Sequence, residues 1–585
     1  MMNTMRWGLG ASLMVALAGC ATTAARRGDD RGAQGSARVA APFPTRDALQ
    51  HAMSAAPARP NAAREPTAVL EQWELAGPFP AQMGSRAATS LTPFARMLDA
   101  HAQRSGGRMV LSEAMQCTAR ELGRYMVGHE GAIPQPLADF VTGRCGSAGA
   151  FLGAWMSRGR GPATGTEEHL VERFQGDLAT AVQEFAAAGA GAVNVGAWFG
   201  RDGERFMFLM AMEARRVAVE PLPFTADAQG RVTVEGRMLE ATGTLTGLVN
   251  RGAWSSQPCE SDPSVRLPHF RVRCPLAPDD AVARVELSAT APGRLLGHTV
   301  FSAVVGPGRD AARRFEVRAA DAALVATDPA RARDALLTAL NDARTRAGVA
   351  PVTLAAREAD VACQAAPVYF SLATDASAGA NVDQIALGLM AGWDVSGGMI
   401  REGTFFSGAG AQEDDMGRWV AWALERPLGR RVLLDGDVRQ VAACPWAVEG
   451  HTQGVLWSSY RFYQEGTQAQ EVERVFARLD AARRAAGRSP AVRLTHLDAS
   501  LRATAQSIER TQGDPEAALQ AMLDGASNAT GASTRGWVLA TTDLESVEFP
   551  RDMVEAGALR ASVQVAHWRG REDAWGQAVV FLVVQ

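Results

Sequence analysis

Three stretches of the chain carry the same pattern of apolar and polar positions. Leu336, Leu340, Ala343 and Ala347 follow at intervals of four, three and four, which is one face of a helix. Asp328 is a good N-cap, and Pro329 suits the first helical position, where an N–H has no partner to lose. Gly348 predicts the stop. Val472, Phe476, Leu479 and Ala482 make an equivalent stripe that Gly487 ends, and Phe94 and Leu98 begin a third that Gly106 and Gly107 end. In each case eight positions separate Leu (Leu98, Leu340, Leu479) from Gly, and a short linker then reaches Leu111, Leu354 or Leu494. A second, Ala-rich helix is expected after each.

The three stretches also finish alike. Residues 192–211, 440–463 and 562–584 each alternate up to a Trp, pass a Gly-containing turn and enter a second β-rich run. That is a hairpin signature. The second hairpin is expected to turn over Glu449–Gly454, opposite the GRDG of the first. A matched start and finish at this separation predicts tandem domains rather than a short-period solenoid. Their bounds are 68–215, 326–466 and 467–585. Between the first two, 216–325 holds seven short β-rich runs, at 217–222, 231–239, 243–249, 269–274, 283–289, 298–306 and 314–319. Seven strands in about a hundred residues predict an antiparallel β-sandwich. The fold class is α+β.

A length of 585 residues accommodates this division. The net charge of −4, with no basic stripe interleaved with aromatics, removes nucleic acid as an expected partner. The chain has no Lys, so all 59 basic residues are Arg. A Schiff-base Lys, a phosphate-binding P-loop Lys and a Ser–Lys dyad are therefore excluded. No GxSxG elbow, HExxH, P-loop or Gly-rich dinucleotide turn is found, and no cofactor is expected.

The N-terminus adds an address. One Arg precedes an apolar run from Leu9 to Ala18, too short to span a bilayer and suited to a signal peptide over 1–20. Leu17-Ala18-Gly19-Cys20 resembles the lipobox of bacterial lipoproteins, which implies lipidation at Cys20 and a membrane partner through that anchor. Ala21 in place of Asp implies, by the same resemblance, the outer membrane. Residues 21–67, rich in Ala, Arg, Pro, Gly and Asp, read as a disordered tether. Six further Cys in an exported chain suggest disulfides, and sequence locality favours Cys117 with Cys145, Cys259 with Cys274, and Cys363 with Cys444.

LNDARTRAGVAPVTLAAREADVACQAA (340–366) resembles the opening of a CAP (SCP/PR-1-like) domain, and WVAWALERPLGRRVLLDGDVRQVAACPW (419–446) resembles the family's later helix and strand. The resemblance covers most of 326–466 and extends to the flanking units through the repeat. It implies three CAP-like α-β-α sandwiches around the inserted β-sandwich. It also implies a cavity with two His and two acids for a divalent metal. This sequence departs there: no His stands near Leu428 or Gly429, where the family's motif has one.

The remaining candidates are few. His451 in GHTQGVLW, with Glu413 or Asp415, is the catalytic candidate; an exposed turn His and a helix-capping acid are the plainer readings. His169 and Glu172 lie three apart on a predicted helix and are candidate metal ligands, or part of a solvated face. Trp198, Trp446 and Trp568 are candidate ligand platforms, or core packing at strand ends. The leading expectation is a non-catalytic binding or scaffold lipoprotein whose partners are envelope proteins, cell wall or lipid. The alternatives are a peptide or cell-wall hydrolase with a rearranged site, and a lipid carrier. FMFLMAM (206–212) permits the last, or is a strand buried on both faces.

Overall fold

The computed structural model describes residues 43–54 and 72–585, except 85–86, 132, 162–164, 189–190, 277–281, 295, 307–312, 317–320, 373–378, 410–413, 449–450, 464–466, 542–543 and 571–574. The signal segment, Cys20 and most of the expected tether lie outside the described residues.

Three units repeat one element order. An opening helix (Pro93–Arg104, Pro329–Arg346, Gln468–Ala485) leads to a short strand (Met109–Leu111, Thr353–Leu354, Val492–Arg493). A helix pair follows: Glu113–Val127 with Gln135–Arg144, Ala356–Leu372 with Gly379–Ala391, and Asp498–Thr511 with Pro515–Thr530. Next come an outer strand (Phe151–Arg160, Ile400–Ala409, Arg535–Thr541), short helices and a hairpin (Val193–Asp202 with Arg205–Ala214, Val438–Val448 with His451–Phe462, Arg560–Trp568 with Gln577–Val584). All three sheets have the order short strand, first hairpin strand, second hairpin strand, outer strand. The short strand pairs parallel and the rest antiparallel.

The predicted helix signals operate as expected. Asp328 accepts from Arg331 N beside Pro329 as predicted, and Thr92, which was not among the predicted caps, does the same for Ala95 N beside Pro93. Gly106, Gly348 and Gly487 all adopt positive φ, 64°, 72° and 71°, the left-handed turn that ends a helix and that other residues resist.

Helices cover both faces of each sheet. In the first unit Phe206, Phe208, Met210 and Met212 face the core under Phe94, Leu98 and Phe185, while Met207, Leu209 and Ala211 face the core under Met115, Leu122 and Val141. The side-chain period of two divides the strand between two cores, and FMFLMAM is buried throughout. The second unit divides likewise, with Trp457 under the opening helix and Leu456 under the helix pair. The third does so with Leu582 and Phe581.

All seven β-runs form strands. Six build the sandwich, whose two four-stranded antiparallel sheets enclose Val234, Val249, Val272, Val285 and Phe301. The seventh, Arg314–Glu316, leaves the sandwich and pairs antiparallel with Gln72–Glu74. Two strands of the sandwich were not foreseen, Ser255–Pro258 and Glu260–Ser261, nor were Gln72–Glu74 and the outer strand of each unit. The two sandwich strands are largely exposed and carry no apolar alternation, and the chain passes between the sheets at Cys259. The three disulfides are the expected pairs.

Two expectations need correction. The tether reading fails at Arg46–Ser54, which is a helix with Leu49 and Ala52 buried against Ile385, Ala386 and Leu389. Four apolar residues in nine, Ala48, Leu49, Ala52 and Met53, make too short a pattern to set it apart from its Ala-rich surroundings, and contact with the second unit fixes the segment. The second hairpin is also tighter than Glu449–Gly454: Trp446 pairs with Gly454, Ala447 with Thr452 and Val448 with His451, so the strands extend into the expected turn.

Candidate functional site

The catalytic candidates separate on inspection. Glu413 and the His451 side chain lie outside the described residues. Asp415 is buried and caps the helix Met416–Leu424: Oδ1 accepts from Gly417 N (2.8 Å) and Arg418 N (3.1 Å), and Oδ2 from Asp321 N (2.9 Å). Both carboxylate oxygens hold backbone. His169 and Glu172 are exposed on the short helix Glu167–Arg173. Among the described residues no three His, Cys, Asp or Glu are grouped to hold a metal ion.

The recurrent Trps pack alike. Each sits on the first hairpin strand of its own unit, Trp198 midway along it, Trp446 and Trp568 near its end. Trp198 packs against Gly123, where an added Cβ would stand 2.0 Å from the ring. Trp446 stacks on Phe370 with centroids 5.0 Å apart and planes at 18°. Trp568 donates to Gly513 O at 2.8 Å. Each ring packs at or beside the second helix of its unit.

The polar residues of the repeated motif fasten the opening helix. Arg344 is fully buried and donates to the carbonyls of Ala350 (2.8 Å), Leu433 (2.7 Å) and Asp435 (2.9 Å). Arg483 repeats this on Ser489, Met553 and Ala556. Asn341 and Asp480 hold the linker through Val352 N (2.8 Å) and Ala491 N (2.9 Å). A buried guanidinium surrounded by carbonyls ties the helix end to the loop before the hairpin. The sequence displayed the arginines but not their distant partners, which arrive from 70 to 91 residues later.

Other buried charges lie where modules meet. Between the first and second units, Asp139 Oδ2 accepts from Arg426 Nη2 (2.8 Å) and Trp422 Nε1 (3.0 Å). Between sandwich and second unit, Arg294 Nη2 donates to Asp383 Oδ1 (3.1 Å). The N-terminal helix adds Arg46, which donates to Trp393 O (2.8 Å) and pairs with Asp394 (3.0 Å). Below that turn, Glu358 is 1 % exposed and accepts from Asp394 N (2.8 Å). Burial pushes its carboxyl up to about 7; the Asp394 N–H and Arg46 only partly oppose this.

A buried titratable cluster lies at the junction of the second and third units. His567 is buried, with Nε2 2.8 Å from Glu471 and Nδ1 3.0 Å from Glu509. Tyr463 stacks on the ring at 4.3 Å, and Gln468 donates to both Glu509 oxygens. The carboxylates meet opposite edges of one imidazole, so they bind the ring rather than converge on a shared ligand point. Nearby, Phe43 packs on Trp575 (4.7 Å) and Trp393 (6.3 Å), and Trp575 donates to Met390 O (3.1 Å). This junction joins the N-terminal segment and both units. His567 and Glu471 stand 96 residues apart, which is why spacing gave no sign of the cluster. No family model matches the chain, and no curated protein matches it.

Proposed function

We propose that this protein is an envelope lipoprotein, anchored through Cys20, whose three repeated units are degenerate CAP-like domains and whose work is binding or scaffolding rather than catalysis. One observation carries this reading: these buried charged groups hold backbone, or one another, within a unit or across a junction between units. Arg344 and Arg483 fasten helices, Asp139 and Arg426 join the first unit to the second, and Glu471, Glu509 and His567 hold the third. A hydrolytic site needs acid, base and substrate position to converge in an accessible cleft. Here the candidate acid Asp415 is a helix cap. The shared element order supports descent of the units from one domain, and the motifs of 340–366 and 419–446 supply the family resemblance.

The anchor is tested by labelling cells that express the full chain with a radioactive fatty acid. Label is expected in the wild type and not in Cys20→Ala, which is also expected to leave the membrane fraction. Equal membrane retention of both refutes the anchor. The binding role is tested separately, by incubating the purified chain with cell-wall fragments and denatured protein. No turnover is expected, and turnover that survives purification but is lost in Asp415→Asn restores the hydrolase.

A further inference from the structure

The outer strands of the three units occupy the same place in their sheets, yet only two are protected. Phe151–Arg160 has a register break at Phe151/Gly153 and carries Arg158 and Arg160. Ile400–Ala409 has a break at Ile400/Glu402 and carries Arg401 and Glu402. Bulges and charges of this kind keep an open sheet edge from pairing with other chains. The following module also bonds the start of the second of these strands and the segment just before the first: Gly576 N donates to Ile400 O (2.9 Å), and Ser302 N to Ala148 O (2.9 Å).

Arg535–Thr541 (RGWVLAT) has no register break, and Gly536–Ala540 within it carries no charge. It runs through seven pairs with Gln577–Val584 in unbroken register, and its one charge is Arg535 at the entrance. Trp537 and Leu539 line the core under the opening helix, and Val538 and Ala540 the core under the helix pair; all four remain half-buried. Among the described residues no backbone hydrogen bond reaches Gly536–Ala540 from outside the sheet.

We propose that Arg535–Thr541 pairs antiparallel with the same strand of a second copy of this chain, making one continuous eight-stranded sheet. The sequence is self-complementary about Val538. That register sets Val538 against Val538, Trp537 against Leu539 on one face, Gly536 against Ala540 on the other, and Arg535 against Thr541 at the ends. Aromatic–aliphatic pairs form twice, and no like charges oppose each other. The same patch on both partners gives a closed two-fold interface, so assembly stops at the dimer.

The test is disulfide trapping in the full-length chain, whose six other described cysteines are already paired. Val538→Cys places two thiols directly opposite, within bridging distance of an antiparallel pair. On a non-reducing gel it is expected to run at twice the mass and return to single mass on reduction. Leu539→Cys and Ala540→Cys, which meet other residues, are expected to give several-fold less dimer. Wild-type chain in detergent is expected to sediment as a dimer without any covalent bond. A monomeric wild type together with uncrosslinked Val538→Cys overturns the proposal. So does equal crosslinking at all three positions, or capture at Val538→Cys of a protein other than this chain.

Discussion

The first and second units share one topology and fasten their opening helices by different means. In the second, Arg344 reaches inward and binds three carbonyls. In the first, the equivalent position is Ala102, and the fastening comes from elsewhere. Ser105 Oγ donates to Ala102 O (2.6 Å) and accepts from Met109 N (2.9 Å), while Arg215 reaches back to Gly107 O. The lesson is that the repeated motif preserves a helix end and its glycine turn, and that the guanidinium is one of two ways to satisfy the carbonyls there. A motif that looks like a signature is here a fastening.

The largest way to probe this comparison is through the disulfides. Cys363–Cys444 closes a separation of 81 residues and Cys117–Cys145 one of 28, so loop-closure entropy predicts losses of about 4.5 and about 3.5 kcal/mol for the paired Ser variants. Separate calorimetric transitions for the two units would check the order. Next is the fastening itself. Arg344→Ala is expected to cost roughly 3 kcal/mol by leaving buried carbonyls without a charged donor, whereas Ser105→Ala in the first unit costs about 1 kcal/mol. Hydrogen exchange in the helices Pro329–Arg346 and Pro93–Arg104 reads the two directly. Equal protection loss would mean that the guanidinium adds nothing beyond a hydroxyl.

A pH effect of similar size is confined to the second unit. Glu358 titrates near 7 when folded and near the ordinary glutamate value when unfolded. Between those values the unfolded chain has lost the proton that the folded chain keeps, so stability falls as pH rises through this window. The loss attributable to Glu358 amounts to roughly 3 kcal/mol by pH 8. Glu358→Gln is expected to flatten that slope, and an unchanged slope in urea melts at pH 5 and pH 8 would place the titration elsewhere. The smallest effect is at Asp415: Asp415→Ala should destabilise the helix Met416–Leu424 by about 1 kcal/mol, as loss of a capping residue does.

The comparison also marks what the sequence could display. Local signals were legible: the cap at Asp328, three glycine stops, seven β-runs and the three disulfide pairs. Each rests on neighbours within a few residues, or on cysteines confined to one module. The roles of Arg344, Asp139 and His567 were not legible, because their partners come from other elements and other modules. The helix Arg46–Ser54 was missed for the same reason, since only contact with the second unit makes Leu49 a core residue. For the candidate site, composition removed Lys chemistry, and the fold showed Asp415 to be a cap.

That N-terminal helix has a consequence for timing. Arg46 binds a turn 347 residues further along the chain. A ribosome completes the whole first unit and the sandwich before the docking surface on Gly379–Ala391 exists. Residues 43–54 therefore cannot be buried there until more than three hundred further residues have been made. The strand Gln72–Glu74 likewise has no partner until Arg314–Glu316 has been made. Two early-made segments can take their places only after later modules supply the surfaces they pack on.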